Sequence, residues 1–241
     1  MKTTDYIAYI INRLPKGYVF TYRDFITEVN KKEAVIKGLN RMVASGKLSK
    51  LSRGKYYKPE VTVFGNLLPD QSQIVKDLLE NEGKIVGYLT GYSIYNQLAL
   101  TTQIGNTIQI GKKEKRPDFK RGKYTISFIQ QKNNITKENI PLLQVLDAIR
   151  YIKRIPDTSP KAACKRFLTI IRGLSDYEKV TLIRIAQKYP PATKALLGAL
   201  LEETGNVSLT VLLKKSLNPI TIYKLSGICK ALKCAKGWNI L

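Results

Sequence analysis

Within the first 58 residues the apolar positions recur at helical spacing three times and then break into short runs around Ser52-Arg53-Gly54. That pattern predicts three helices closed by a β-hairpin. Tyr6, Ile7, Ile10, Ile11 and Leu14 form an i, i+3, i+4 stripe over about residues 3–14, and Pro15-Lys16-Gly17 ends it. Thr21 is the expected N-cap of a short second helix whose Phe25, Ile26 and Val29 close over the first. Asn30 is the expected cap of a third helix, about residues 31–45. There Val35, Ile36, Leu39, Met42 and Val43 share one arc, while Glu33, Lys37, Asn40, Arg41 and Ala44 share the opposite one. Gly46 stops this helix, and strands over 47–51 and 55–58 flank the Gly-containing tip. Residues 1–58 therefore read as a winged helix-turn-helix domain.

Charge gives that domain a direction. It holds 13 Lys and Arg against 4 Asp and Glu, and both its third helix and its hairpin are basic. A winged domain can also dock a protein, but cations on both the helix and the wing favour duplex DNA. The expected contacts are Arg23, Lys31, Lys32, Lys37, Asn40, Arg41, Lys50, Arg53, Lys55 and Tyr56. Lys31 and Lys32 stand at a helix start, where lysine is locally unfavourable but free N–H groups suit phosphate. Arg53, at the tip, is placed to enter a minor groove or fork onto phosphate, with Lys50, Lys55 and Tyr56 holding the flanking backbone. The A-form RNA major groove is too narrow for such a helix, and no aromatic platform for single strands is evident.

Over the whole chain, 41 basic and 18 acidic residues in 241 give a net charge of +23. Residues 59–130 are nearly neutral, with 9 basic against 7 acidic, whereas 131–241 hold 19 against 7. The two ends, not the middle, are suited to a polyanion. Asn12 and Arg13 interrupt the first apolar stretch, and the apolar run 195–201 is far too short to span a bilayer, so a soluble cytoplasmic protein is expected. Cys164, Cys229 and Cys234 are odd in number and read as reduced thiols.

The chain contains no histidine. Ser–His and Cys–His nucleophile pairs and the commonest zinc sets are thereby excluded, and a three-cysteine zinc site would need a carboxylate as fourth ligand. Pro117-Asp118 resembles the opening of a metal-dependent nuclease motif, yet no acid occurs from 119 to 137 to complete it. No enzyme activity, cofactor or metal is expected.

Beyond the wing, a helix is expected from Pro69-Asp70 to about residue 81, a strand over 84–89, a short helix capped by Thr90 and running to 100, and strands over 106–110 and 124–130. Residues 131–241 read as helical. Leu142, Leu143, Leu146, Ile149 and Ile152 recur at helical spacing, and further helices are expected over about 160–173, 176–188, 191–203, 207–217 and 219–233. Ser159-Pro160 and Asn218-Pro219 look like helix starts, and Ser175 with Glu178 forms a capping box. The expected fold class is α+β: a winged helix-turn-helix (1–58), then one domain over 59–241 made of a mixed sheet (59–130) and a mostly helical part (131–241). Lys153, Arg154, Lys161, Lys165, Arg166 and Arg172 read first as solvated faces, with a second DNA contact or a patch for an acidic partner left open.

The block GYLTGYSIYNQLALTTQ (87–103), the NTIQIG that follows, the winged start and SRGKYYKP together resemble the AbiEi family of antitoxins, which regulate a bacterial type IV toxin–antitoxin and phage-defence system. The resemblance covers residues 1–130 well and the helical end loosely. It implies an autorepressor that binds double-stranded DNA at inverted repeats in its own promoter. It also implies a C-terminal part that neutralises a nucleotidyltransferase-like toxin without forming a stable complex. Tyr88, Tyr92 and Tyr95 within the block are expected to pack in the core. The alternative is a stand-alone winged-helix regulator with a sensing or partner-binding C-terminal domain.

Overall fold

The computed structural model describes residues 3–26 and 32–241. The roles expected of Val29, Asn30 and Lys31 lie outside the described residues. The chain is mixed α+β and divides into two compact units, residues 1–80 with 119–125 and residues 81–118 with 126–241. The boundary expected after residue 58 is thus displaced by some twenty residues.

The first unit opens with α1 (Thr3–Arg13), β1 (Val19–Thr21), a 3-10 turn (Tyr22–Phe25), α2 (Lys32–Ala44), β2 (Ser49–Ser52) and β3 (Lys55–Tyr57). The strands pair antiparallel in the order β1-β3-β2, with Val19 opposite Tyr57 and Thr21 opposite Lys55. The two helical stripes meet as their spacing dictates. Ile7 and Ile11 pack with Val35, Leu39 and Met42 in one core that Phe20, Phe25, Leu48 and Tyr56 complete. The Thr21 hydroxyl accepts from the Arg23 N–H at 3.2 Å while the Asp24 carboxylate accepts from the Thr21 N–H at 2.6 Å, a reciprocal cap. Gly54 takes φ +74° at the hairpin tip, a conformation that strains any side chain.

Residues 59–80 belong to this unit because their polar groups close onto it. β4 (Glu60–Thr62) and β5 (Gly65–Leu67) form a hairpin whose tip leaves Val63 and Phe64 exposed. The single helix expected next is broken into α3 (Gln71–Ile74) and α4 (Lys76–Leu79). Arg121 Nη1 donates to the Ile74 carbonyl at 2.7 Å, and the Leu78 N–H, which a continuous helix would direct there, donates to Val75 at 2.7 Å instead. Gln73 accepts from the Val19 N–H, and Lys76 donates to the Tyr18 hydroxyl.

The short pair β6 (Glu80–Asn81) and β7 (Lys84–Ile85) leads into β8 (Gly87–Thr90), β9 (Thr107–Lys112), β10 (Phe119–Arg121) and β11 (Tyr124–Gln130), which form a sheet in the order β10-β11-β9-β8. Helices α5 (Ile140–Arg150), α6 (Pro160–Arg172), α7 (Asp176–Ala186), α8 (Pro191–Glu203) and α9 (Val211–Lys215) follow. Every residue of α8 from Thr193 to Leu201 is buried, so the apolar run 195–201 is the core helix of the second unit. Leu143, Leu146, Phe167, Ile171, Leu182 and Trp238 share its cluster. Ser159 and Ser175 cap α6 and α7 as their sequence context requires.

Three further expected elements differ. Thr90 opens only a 3-10 turn (Gly91–Ser93), because its hydroxyl donates to the buried carboxylate of Asp147 at 2.8 Å rather than capping a helix. The helix over 207–217 is split into a 3-10 turn (Val207–Thr210) and α9. The helix over 219–233 is absent. Asn218 instead turns the chain by accepting from the Ile220 N–H at 2.9 Å, and Tyr223 pairs with Asn239 and Leu241, so the last residues take the backbone bonds a helix would have needed. Among the described residues no helix is long and apolar enough to cross a membrane.

Candidate nucleic-acid interface

The outer arc of α2 carries Lys37, Asn40 and Arg41, all exposed, and the hairpin of β2 and β3 carries Lys50 and Arg53, also exposed. One hydrogen bond ties the two elements together. The Tyr56 hydroxyl, on β3, donates to Asn40 Oδ1 at 3.0 Å. The strand that supports the hairpin therefore abuts the polar arc of α2, and Asn40 keeps its amide N–H groups while its oxygen is engaged. Arg23 and Lys32 are exposed beside Tyr22, with Lys32 Nζ 5.3 Å from the ring centre. A hydrogen bond from Arg23 and then the charge of Lys32 hold the Tyr22 phenol below its ordinary pKa. None of these cations takes part in an ion pair among the described residues. Unpaired cations on adjoining elements are what phosphate oxygens require.

Two of the expected contacts have other roles. Tyr56 is 3% exposed and stacks on Phe20 at 6.3 Å, so its ring belongs to the core and burial pushes its pKa up. Lys55 is held 2.5 Å from Asp77, which also receives a two-pronged bond from Arg121 at 2.7 and 3.1 Å. Burial lowers the Lys55 pKa against the pull of Asp77, and an ammonium so engaged is not free to hold a DNA backbone. Lys31 lies outside the described residues. Alternation along the strand marks Tyr56 and Lys55 as facing opposite ways, but nothing local foretells Asp77, which arrives from 22 positions away. Tyr22 was missed for the same reason, since Lys32 reaches it only through the fold.

The remaining chemistry is sparse. Among the described residues no three His, Cys, Asp or Glu side chains gather to hold a metal. The three thiols are unpaired, and burial pushes that of Cys164 up to about 12. Asp118 is exposed. In the second unit Lys153 and Arg166 donate to the backbone carbonyls of Lys224 and Leu98, and Arg154 lies over the Tyr151 ring, while Lys161, Lys165 and Arg172 are exposed. Tyr88 and Tyr95 are buried core residues, whereas Tyr92 is 37% exposed and packs edge-on against Tyr95.

Residues 6–177 match the family of unknown function DUF6088. The chain belongs to the DUF6088 family. The match takes in the α2 arc and the hairpin and ends at the start of α7. No curated protein matches this DUF6088 chain. Among solved structures it is similar to the RV2827C protein from Mycobacterium tuberculosis, at 15% identity and a TM-score of 0.48, over 90% of this chain and 82% of that one.

Proposed function

We propose that the first unit is a winged helix-turn-helix that reads duplex DNA, with α2 as recognition helix and the β2–β3 hairpin as wing. The observation that carries this reading is the set of exposed cations Lys37, Arg41, Lys50 and Arg53, free of ion pairs among the described residues, on two elements joined by the Tyr56–Asn40 bond. On this reading α2 enters the major groove and Arg53 reaches a flanking phosphate or minor groove. Together with the resemblance to AbiEi antitoxins, it makes the protein a cytoplasmic autorepressor of its own operon. The second unit then counteracts a nucleotidyltransferase-like toxin, without catalysis of its own and without a stable complex.

Fluorescence anisotropy on the DNA upstream of its gene tests the first half. Specific binding to an inverted repeat is expected, and replacing Lys37, Arg41 and Arg53 together by alanine abolishes it. With about six phosphates contacted, log affinity falls with log salt at a slope of about −5. Equal binding by the triple variant rejects this face. Co-expression with the neighbouring toxin gene tests the second half, and failure of the full-length chain to restore growth rejects it.

A further inference from the structure

The second unit holds a cleft of about 470 Å³ that the DNA reading does not use. Its rim carries Lys132, Arg150 and Lys188, all exposed, and among the described residues no acidic side chain lines it. None of the three cations is ion-paired among the described residues. Lys188 Nζ lies 3.5 Å from the backbone carbonyl of Lys132, which holds the Lys188 ammonium against the segment that carries Lys132. Asp147, buried beneath the floor, offsets part of the Arg150 charge, and Arg150 lies 5.0 Å from the Tyr151 ring centre; an anion that enters the cleft relieves the remaining repulsion among the three cations, in a field that low-dielectric walls strengthen.

The floor is rigid. Gln131 and Tyr189 are buried and fully engaged: Gln131 Nε2 donates to the hydroxyls of Tyr88 and Tyr189, each at 2.8 Å, and Tyr189 donates to Asp147 at 2.8 Å. A floor held by a closed hydrogen-bond network gives the rim a fixed shape before any ligand arrives. Gln130 and Gln187 line the cleft and each direct an amide N–H at a backbone carbonyl, which leaves their side-chain oxygens available as acceptors. Pro190 and Pro191 add a stiff apolar ledge.

We propose that this cleft binds a small phosphate ester, its phosphate held by Lys132, Arg150 and Lys188 and its organic part laid on the Pro190-Pro191 ledge. The volume falls within the range of small-ligand pockets. A dianionic phosphate matches a mixed set of one guanidinium and two ammonium groups. Amide acceptors beside the ledge suit a polar, flat group such as a nucleobase or sugar.

The full-length protein is titrated with sodium phosphate, pyrophosphate, AMP and GMP at constant ionic strength set by chloride, and followed by calorimetry and by melting temperature. Saturable binding of a mononucleotide is expected, tighter than that of inorganic phosphate, and replacing Lys132 and Lys188 by alanine weakens it by about tenfold or more. Arg150→Lys keeps the charge but loses the fork, and lies between. Unchanged circular dichroism and an unchanged melting temperature without ligand establish that the variants fold. No saturable binding of any of the four probes overturns the proposal, as does equal binding by the double variant. If the double variant instead loses affinity for duplex DNA while no small probe binds, the cleft is a backbone contact and the small-ligand reading falls.

Discussion

Asp77 in the first unit and Asp147 in the second are the same side chain held in two ways. Asp77 is half in water and bonded to two cations. Burial by itself would raise its pKa, but the bonds from Arg121 and Lys55 carry it below the usual carboxylate range. Asp147 is almost wholly buried among neutral donors, the hydroxyls of Tyr88, Thr90 and Tyr189 at 2.6, 2.8 and 2.8 Å. Burial outweighs those bonds and the charge of Arg150, and its pKa is pushed up to about 6. The first unit thus answers charge with charge near its surface and keeps further cations outside. The second builds a neutral polar network within its core, where Gln131 and Asn133 extend the chain of bonds to the Ile185 carbonyl.

The chain carries its one tryptophan, Trp238, buried in the second unit, so tryptophan emission reads that unit while circular dichroism reads both. The largest expected effect is that of Asp147→Ala, which leaves three buried hydroxyls without their acceptor and lowers the stability read by Trp238 by about 3 kcal/mol. An unaltered urea midpoint would show that the network contributes nothing. Asp77→Asn comes next. It leaves the guanidinium of Arg121, 9% exposed, without a carboxylate and lowers stability by about 1–2 kcal/mol, an amount discounted because Asp77 is partly solvated. This loss belongs in circular dichroism and not in Trp238 emission; equal shifts in both would break the separation between the units.

The third effect is a pH dependence of opposite sign in the two units. The folded pKa of Asp147 lies above its unfolded value of about 3.9, so its contribution is complete below that pH and is lost as pH rises through 6. Since the chain has no histidine to titrate in this window, raising the pH from 5 to 7 removes about 1 kcal/mol from the second unit, and Asp147→Asn flattens the profile. Asp77, with its folded pKa lowered, contributes above its unfolded value and loses that contribution as pH falls further. A second unit that gains stability between pH 5 and 7 contradicts this assignment. The smallest expected effect is on the outer arc. Replacing Lys37, Arg41 and Arg53 by alanine leaves the melting temperature unchanged while DNA binding is lost, which sharpens the contrast between cations that support the fold and cations that face outward.

Much of the first unit was legible because its signals are local. The stripe of Ile7 and Ile11, the arc of Val35, Leu39 and Met42, and the glycine at the hairpin tip each fix an element within a dozen residues. The same local logic placed α6, α7 and α8 to within two residues of their ends. It failed where a distant partner competes for a backbone or side-chain group: Arg121 takes the Ile74 carbonyl, Asp147 takes the Thr90 hydroxyl, and the chain end takes Tyr223. It failed likewise for Lys55 and Tyr56, whose charge and ring look available in sequence and are engaged in the fold.

By itself the sequence determined helices α1, α2 and α5 to α8, the hairpin, the basic excess of both ends and the exclusion of histidine chemistry, since propensity, periodicity and composition act through neighbours along the chain. Only the tertiary structure decided which cations stay free, where the units divide, and that one aspartate is paired while another is buried among hydroxyls. Each of those outcomes is a choice among competing partners, and a partner twenty to sixty residues away is set by packing rather than by local preference.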